Sequence, residues 1–146
     1  MTEDADLEAV RVLARLTRLV ERSTEGLSLA HYRVLSAVAD GDERASRVAA
    51  RLALGKPTIS ASVDALCRRG LLTREGVAGD QRATTLRLTP EGEAALTGVE
   101  TTLVERLGIV LSHTEAPEAV RATLCQLGLA LDALADQRLA TLRSTR

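Results

Sequence analysis

A run of small polar residues follows Gly55-Lys56-Pro57, a sequence typical of a helix start. Glycine is an acceptable N-cap. Proline fits the first turn because N–H groups there have no intrahelical hydrogen-bond partner, so its missing N–H removes no hydrogen bond. The hydroxyl groups of Thr58 and Ser60 are short enough to reach base edges in a DNA major groove, and a lysine at the positive helix end faces phosphate. The predicted contacts to double-stranded DNA on this helix are Lys56, Pro57, Thr58, Ser60, Ala61 and Arg68.

A second candidate contact lies between two short extended runs at residues 71–75 and 83–88. The intervening residues 76–82 are polar and contain two glycines, which predicts the exposed tip of a β-hairpin. Arg82 is long enough to enter a minor groove beside the helix, and Asp80 is placed to brace it or to cap the turn. The alternative for Arg82 is a loop charge that is free in water.

The charge of the chain is unevenly distributed. The stretch from Arg44 to Arg87 contains nine basic and three acidic residues and therefore carries +6. Because the whole chain carries −1, the remainder carries −7. A basic middle between acidic flanks is typical of a lobe that binds nucleic acid, although an arginine-rich solvated surface gives the same count. Thr58 and Ser60 could simply face solvent on an ordinary helix, but the basic residues around them favour contact with DNA.

The apolar spacing predicts the helices that must position these residues. A first helix covers about residues 5–21, a second begins after the N-cap Ser28, and a short third helix covers about residues 45–53. The helix that begins near Gly55 is predicted to end at Gly70 in the left-handed conformation. Its predicted buried side consists of Ile59, Val63, Leu66 and Gly70.

Two long helices are predicted in the second half of the chain. Thr89-Pro90-Glu91 combines an N-cap, a first-turn proline and an acid, and begins a helix of about 22 residues. After a break at residues 112–117, the last helix carries leucines with heptad spacing. Such stripes are hard to bury in one small monomer, so we expect a homodimer; an intramolecular core is the alternative for the last helix. The predicted interface residues are Leu7, Val10, Leu107, Leu124, Leu127, Leu131 and Leu134.

The predicted fold is mainly α with a small β-hairpin wing. A short helix, a tight turn, a second helix with exposed polar groups and a basic hairpin together form a winged helix-turn-helix. We place this lobe at residues 27–89. The helical dimerisation region is then residues 5–22 and 90–143, joined with the lobe in one intertwined domain.

Several short segments in this order and spacing carry a resemblance to a known family. They are Leu52-Ala53-Leu54-Gly55-Lys56-Pro57-Thr58-Ile59-Ser60, then Val63-Asp64 and Leu66, Arg69-Gly70-Leu71-Leu72, Gly79-Asp80-Gln81-Arg82 and Leu86-Arg87-Leu88-Thr89-Pro90-Glu91-Gly92. Because of these segments, the chain resembles the multiple-antibiotic-resistance regulator (MarR) family of bacterial repressors over nearly its whole length.

The resemblance implies a triangular homodimer that binds a pseudo-palindromic operator and releases it when a small molecule binds. Tyr32 is the candidate effector contact, and a core position is the alternative for this residue. The Asp-x-Arg wing motif of the family falls on Asp80 and Arg82. Two positions depart from the family pattern: Ala61 stands where arginine is frequent, and Gly55 stands where serine is usual.

We expect neither catalysis nor a cofactor or metal. The sequence has no glycine-rich phosphate loop, no nucleophile–base set and no metal-ligand spacing. Cys67 and Cys125 have no CxxC partner and suit core or flanking positions, with a redox switch at Cys67 as the sharper alternative. His31 and His113 lie in different regions.

The remaining sequence features concern location and partners. No apolar run reaches the roughly 18 to 20 residues of a membrane span, and the acidic start lacks the layout of a signal peptide. We therefore expect a cytoplasmic protein without a membrane partner. The expected partners are DNA, a second copy of the chain and a small-molecule effector, with regulation without a ligand as the alternative to the effector. The alternative function is a winged-helix module that binds protein instead of DNA.

Overall fold

The computed structural model describes residues 2–24, 26–41, 43–77 and 80–144. This part of the chain contains six helices and one antiparallel hairpin, in the order that the sequence predicts. The elements in chain order are α1 Thr2–Ser23, α2 Leu29–Ala39, α3 Ala45–Leu52, α4 Lys56–Arg68, β1 Leu72–Val77, β2 Asp80–Leu88, α5 Pro90–Leu111 and α6 Pro117–Ser144.

The predicted starts of α2, α4 and α5 are confirmed, because they depend on local caps and first-turn prolines, whereas α1 begins three residues earlier than predicted. The Ser28 hydroxyl accepts a hydrogen bond from the backbone N–H of His31 at 3.1 Å. The Thr89 hydroxyl accepts one from the N–H of Gly92 at 3.0 Å. Each cap satisfies a donor that the first helical turn leaves unpaired. Pro57 lies in the first turn of α4, where it removes no intrahelical hydrogen bond.

The core lies between α2, α3, α4, the hairpin and the start of α5. Its members are aliphatic, as expected for a chain with one aromatic residue. Burying these side chains away from water is the main stabilising term of the lobe. The largest fully buried side chains are Val34, Leu35, Val48, Ile59, Val63, Leu66 and Leu72.

The hairpin is longer than the sequence predicts. We expected a polar tip over residues 76–82, but β1 continues to Val77 and β2 begins at Asp80. Cross-strand pairing extends the strands through residues of weak strand propensity, with an irregularity between Gly76 and Val77. The backbone N–H of Leu86 donates to the carbonyl of Glu43 at 2.6 Å, which attaches the hairpin to the segment before α3.

The turn after α4 contacts the start of α5 closely. Gly70 has φ +71° and closes α4 in the left-handed conformation, as predicted; its predicted burial is wrong, because it is exposed. The Thr89 hydroxyl donates to the Gly70 carbonyl at 2.6 Å, and the Thr89 N–H donates to the Leu71 carbonyl at 3.2 Å. A Cβ on Gly92 would lie 2.0 Å from the same Leu71 oxygen. The α4–β1 turn is therefore held directly on the first turn of α5.

The long helices extend away from this lobe. α1 packs against α5, and α6 contacts both α3 and α5. A link between α6 and the lobe is Arg51, whose guanidinium lies 3.2 Å from Asp132 on α6 and 3.0 Å from Asp40 after α2. Among the described residues, no helix is long and apolar enough to cross a membrane.

Candidate DNA-binding surface

The turn between α3 and α4 sets the direction of α4. Ala53 adopts the left-handed conformation, with φ 53° and ψ 38°. The N–H of Leu54 donates to the Ala49 carbonyl at 3.0 Å, so the turn is tied to the end of α3. A left-handed conformation costs free energy in a residue with a Cβ, and the packing of α3 against α4 must offset that cost.

α4 has one buried side and one exposed side. Ile59, Val63 and Leu66 are almost fully buried, as the sequence predicts. The Gly55 N-cap provides no side-chain acceptor, so the first N–H groups of α4 are not capped by that residue. The six candidate DNA contacts on this helix, which are all exposed, are Lys56, Pro57, Thr58, Ser60, Ala61 and Arg68.

Two ion pairs involve arginines of the hairpin, and sequence reasoning missed both. The guanidinium of Arg74 in β1 lies 2.5 Å from the carboxylate of Asp64 in α4. In the hairpin, Arg87 donates to Glu75 across the strands at 2.8 Å. The strand register, which pairs Glu75 with Thr85 and so places Arg87 on the same face of the hairpin, would have indicated the second pair. The pairs reduce the positive charge that a nucleic acid would meet at Arg74 and Arg87.

The wing contact predicted at Arg82 falls in β2 and not in a loop. The side chains of Arg82 and Asp80 lie outside the described part of the chain, so the predicted bracing of one by the other remains a prediction.

The helices α3 and α4, with the hairpin that follows them, form a winged helix-turn-helix. Residues 25–83 match the family model described as MarR family. Over these residues the winged lobe is therefore similar to the MarR family, which confirms the sequence-based resemblance. No curated protein matches the chain in sequence.

Solved structures extend the likeness to the whole chain. A MarR family transcription regulator of known crystal structure shares 24% sequence identity with this chain and superposes with a TM-score of 0.73. The alignment covers 100% of this chain and 99% of that one. The PcaV transcriptional regulator from Streptomyces coelicolor, in complex with its natural ligand, is 26% identical with a TM-score of 0.65, covering 84% and 89%. The M. tuberculosis regulator MosR, in complex with DNA, is 24% identical with a TM-score of 0.63, covering 88% and 96%. The predicted fold class is therefore confirmed: the chain has the fold of MarR transcription regulators.

The predicted interface residues lie on the long helices. Exposed fractions are 61% for Val10, 51% for Leu127 and 65% for Leu131; Leu7 and Leu134 are also exposed. Leu107 and Leu124 are half-buried in the single chain. Sequence reasoning missed further exposed apolar residues, which are Val12, Val104, Ile109 and Leu129.

The remaining candidate residues are dispersed. Tyr32 is half-buried against the core; burial and then the Glu100 carboxylate raise the pKa of its hydroxyl, while a hydrogen bond with Ser36 lowers it. In the described part of the chain, Tyr32 lines neither the cavity between α3 and α6 nor two smaller ones beside α1 and α5. Cys67 is half-buried and Cys125 is exposed, and both are free thiols. The described residues contain no cluster of three or more potential metal ligands.

Proposed function

We propose that this protein is a dimeric, sequence-specific DNA-binding transcription regulator, and that it acts as a repressor. The observation that carries the proposal is the exposed side of α4, where small hydroxyl and methyl groups lie beside a lysine at the helix start. A helix with short side chains can enter a major groove about 12 Å wide and bring hydroxyl groups to base edges. A solved neighbour with the same fold, MosR, is bound to DNA.

Each predicted DNA contact has a distinct role in this proposal. Lys56 and Arg68 neutralise phosphate, and Thr58 and Ser60 donate to or accept from base edges. Pro57 fixes the first turn of α4, and Ala61 offers a methyl surface. Arg82 enters the adjacent minor groove from the wing, and Asp80 supports it.

A homodimer is supported by the apolar surface of the long helices. Contiguous exposed apolar surface is uncommon on a monomer and usually marks an interface. Two copies joined through α1, α5 and α6 would carry two α4 helices, which is the symmetry that a pseudo-palindromic operator requires. The lobe at 27–89 would bind DNA, and residues 5–22 and 90–143 would form the dimer.

Release of the operator by a small molecule completes the proposal. PcaV is solved in complex with its natural ligand, which supports an effector for this fold. Such release requires the effector to bind more tightly to a conformation in which the two α4 helices do not fit successive grooves.

The test is binding of the purified full chain to DNA from upstream of its own coding sequence, followed by fluorescence anisotropy over a salt series. Specific binding should fall steeply with salt because phosphate contacts release counterions. Lys56→Gln should weaken binding to specific and scrambled DNA alike and reduce the salt slope by about one. Ser60→Ala should weaken specific binding more than binding to scrambled DNA. Arg82→Ala should cost roughly 1 to 3 kcal/mol with the dimer intact.

Arg121→Gln serves as the matched control, because it removes one positive charge from an exposed residue of α6 that is not a predicted DNA contact. Equal loss of affinity in Arg121→Gln and Lys56→Gln would contradict the placement of the DNA contact on α4. Weak binding that ignores both salt and sequence would favour a winged-helix module that binds protein.

The dimer is tested separately by sedimentation. Replacing Leu127 and Leu131 with glutamate should convert the protein to a monomer, since two buried charges would be unpaired at the interface. The affinity for DNA should fall when the dimer is lost. A double variant that still sediments as a dimer would show that this part of α6 lies outside the interface.

A further inference from the structure

α6 lies between the winged lobe and the surface that is predicted to bind a second copy. Its side toward α3 carries Asp132, Ala135 and Leu139, which recur at intervals of three and four residues. A neighbouring side of the same helix carries the exposed, predicted interface residues Leu127, Leu131 and Leu134. The orientation of the lobe on α6 therefore determines where the lobe lies relative to the second copy.

The apolar part of the contact between α3 and α6 is small. In the described part of α6, Ala135 alone is buried, and Leu139 is half-buried. An alanine side chain offers a single methyl group, and apolar contact has no preferred direction. This apolar contact therefore does not by itself fix how the lobe is turned on α6.

A charged bridge supplies the direction that the apolar contact lacks. Nη2 of Arg51, in the last turn of α3, lies 3.0 Å from Oδ2 of Asp40 and 3.2 Å from Oδ1 of Asp132. Asp40 is the C-cap of α2, so one guanidinium joins two elements of the lobe to α6. Hydrogen bonds between a guanidinium and a carboxylate depend on both distance and direction. These three residues, the Arg51 bridge, therefore hold the lobe in one orientation on α6.

We propose that the Arg51 bridge sets the separation of the two α4 helices in the dimer, and with it the half-site spacing of the DNA that the protein accepts. The part that concerns DNA rests on the proposed function. Two such helices must meet successive major grooves about 34–36 Å apart. Adding one base pair changes that separation by about 3.4 Å, and each lobe supplies half of this change by turning on α6. Arg51 and Asp132 are positioning residues in this proposal.

The separation of the α4 helices is measured without DNA by double electron–electron resonance of the full-length dimer. One nitroxide per protomer is attached at Ser60→Cys, in a chain whose own thiols are removed by Cys67→Ala and Cys125→Ser. We expect one narrow distance distribution, which Asp132→Asn broadens and Asp132→Glu, with its carboxylate kept, leaves narrow. Asp136→Asn is the matched control, because it removes the same charge from an exposed residue one turn further along α6.

Fluorescence anisotropy with altered duplexes tests the spacing. The upstream duplex that binds in the salt series is compared with two duplexes in which one base pair is added or removed at its centre. Asp132→Asn should lose about threefold in affinity per protomer, the size typical of an exposed ion pair, and so roughly tenfold at the preferred spacing. Its affinity for the two altered duplexes should not fall. A misfolded variant cannot give this pattern, because misfolding weakens binding to all three duplexes.

Two outcomes would overturn the Arg51 bridge as the positioning contact. One is a distance distribution as narrow in Asp132→Asn as in the natural chain. The other is an equal loss of affinity for all three duplexes in Asp132→Asn. A broadened distribution in a chain that binds no DNA would refute the proposed function and support the role of the bridge in orienting the lobe. A sample without any distance between protomers is a monomer, and it would overturn both the dimer and the bridge as a determinant of spacing.

Discussion

Replacing Gly92 with alanine tests how closely α5 approaches the turn that follows α4. An alanine Cβ would lie 2.0 Å from the Leu71 carbonyl oxygen, whereas ordinary contact begins at 3.4 Å. The two segments must therefore separate by about 1.4 Å. Both partners are backbone, so no side-chain rotation relieves the overlap.

The cost follows from what this separation disrupts. Overpacking of a well-packed site costs roughly 1–3 kcal/mol, and loss of the hydrogen bond from the Thr89 N–H to Leu71 costs about 1 kcal/mol more. Alanine recovers up to ~1 kcal/mol of helix propensity. We therefore expect Gly92→Ala to lower the free energy of unfolding by about 2 kcal/mol, and the melting temperature by roughly 6 °C.

Gly98→Ala is the matched control, since it makes the same change in the same helix where a Cβ meets nothing within 4 Å. It should stabilise the protein by roughly 0.5–1 kcal/mol. Both variants are compared with the natural chain by urea unfolding at equal protomer concentration, because dimerisation adds to apparent stability. A Gly92→Ala variant as stable as Gly98→Ala would refute the close approach as a constraint.

Three further changes have expected results of definite sign. Ala53→Gly should raise the free energy of unfolding by about 0.5–1 kcal/mol, because glycine relieves the left-handed strain at φ 53°; a lower urea midpoint would contradict this. Thr89→Ala should lower the free energy of unfolding by roughly 1–2 kcal/mol, because the helix cap and the hydrogen bond to Gly70 are lost. Thr89→Ser keeps the hydroxyl and should retain most of that stability in the same assay. Burial, and then the charge of Arg69, lowers the pKa of His31 below its ordinary 6.5, so the unfolded chain binds the proton more readily. Stability should therefore fall as the pH drops below about 6.5, and His31→Gln should flatten that fall in urea midpoints measured from pH 7 to pH 5.

The helix starts could be predicted because their causes are local. Ser28 and Thr89 cap the residues three positions ahead, and Pro57 lies in the turn that it favours. The solvent-facing residues of α4 could also be predicted. A helix has about 3.6 residues per turn, so burial of Ile59 and Val63 determines which residues lie on the opposite face. Every candidate DNA contact on α4 is exposed for this reason.

The hairpin shows where local signals are insufficient. Residues 76–82 contain glycines and polar groups that favour a turn, yet cross-strand hydrogen bonds extend β1 to Val77 and begin β2 at Asp80. The pairing of Asp64 with Arg74 likewise joins a helix to a strand, which no periodicity within either element predicts.

The sequence by itself determined the order of elements, their caps, the exposed side of α4 and the surplus of apolar residues on the long helices. These properties follow from neighbours within a few positions along the chain. Only the tertiary structure decided that Gly92 must lack a side chain, and that Arg138 lies across a cavity from Lys56. Such proximities depend on how whole helices cross, which is fixed by the packing of the buried core and not by any segment alone.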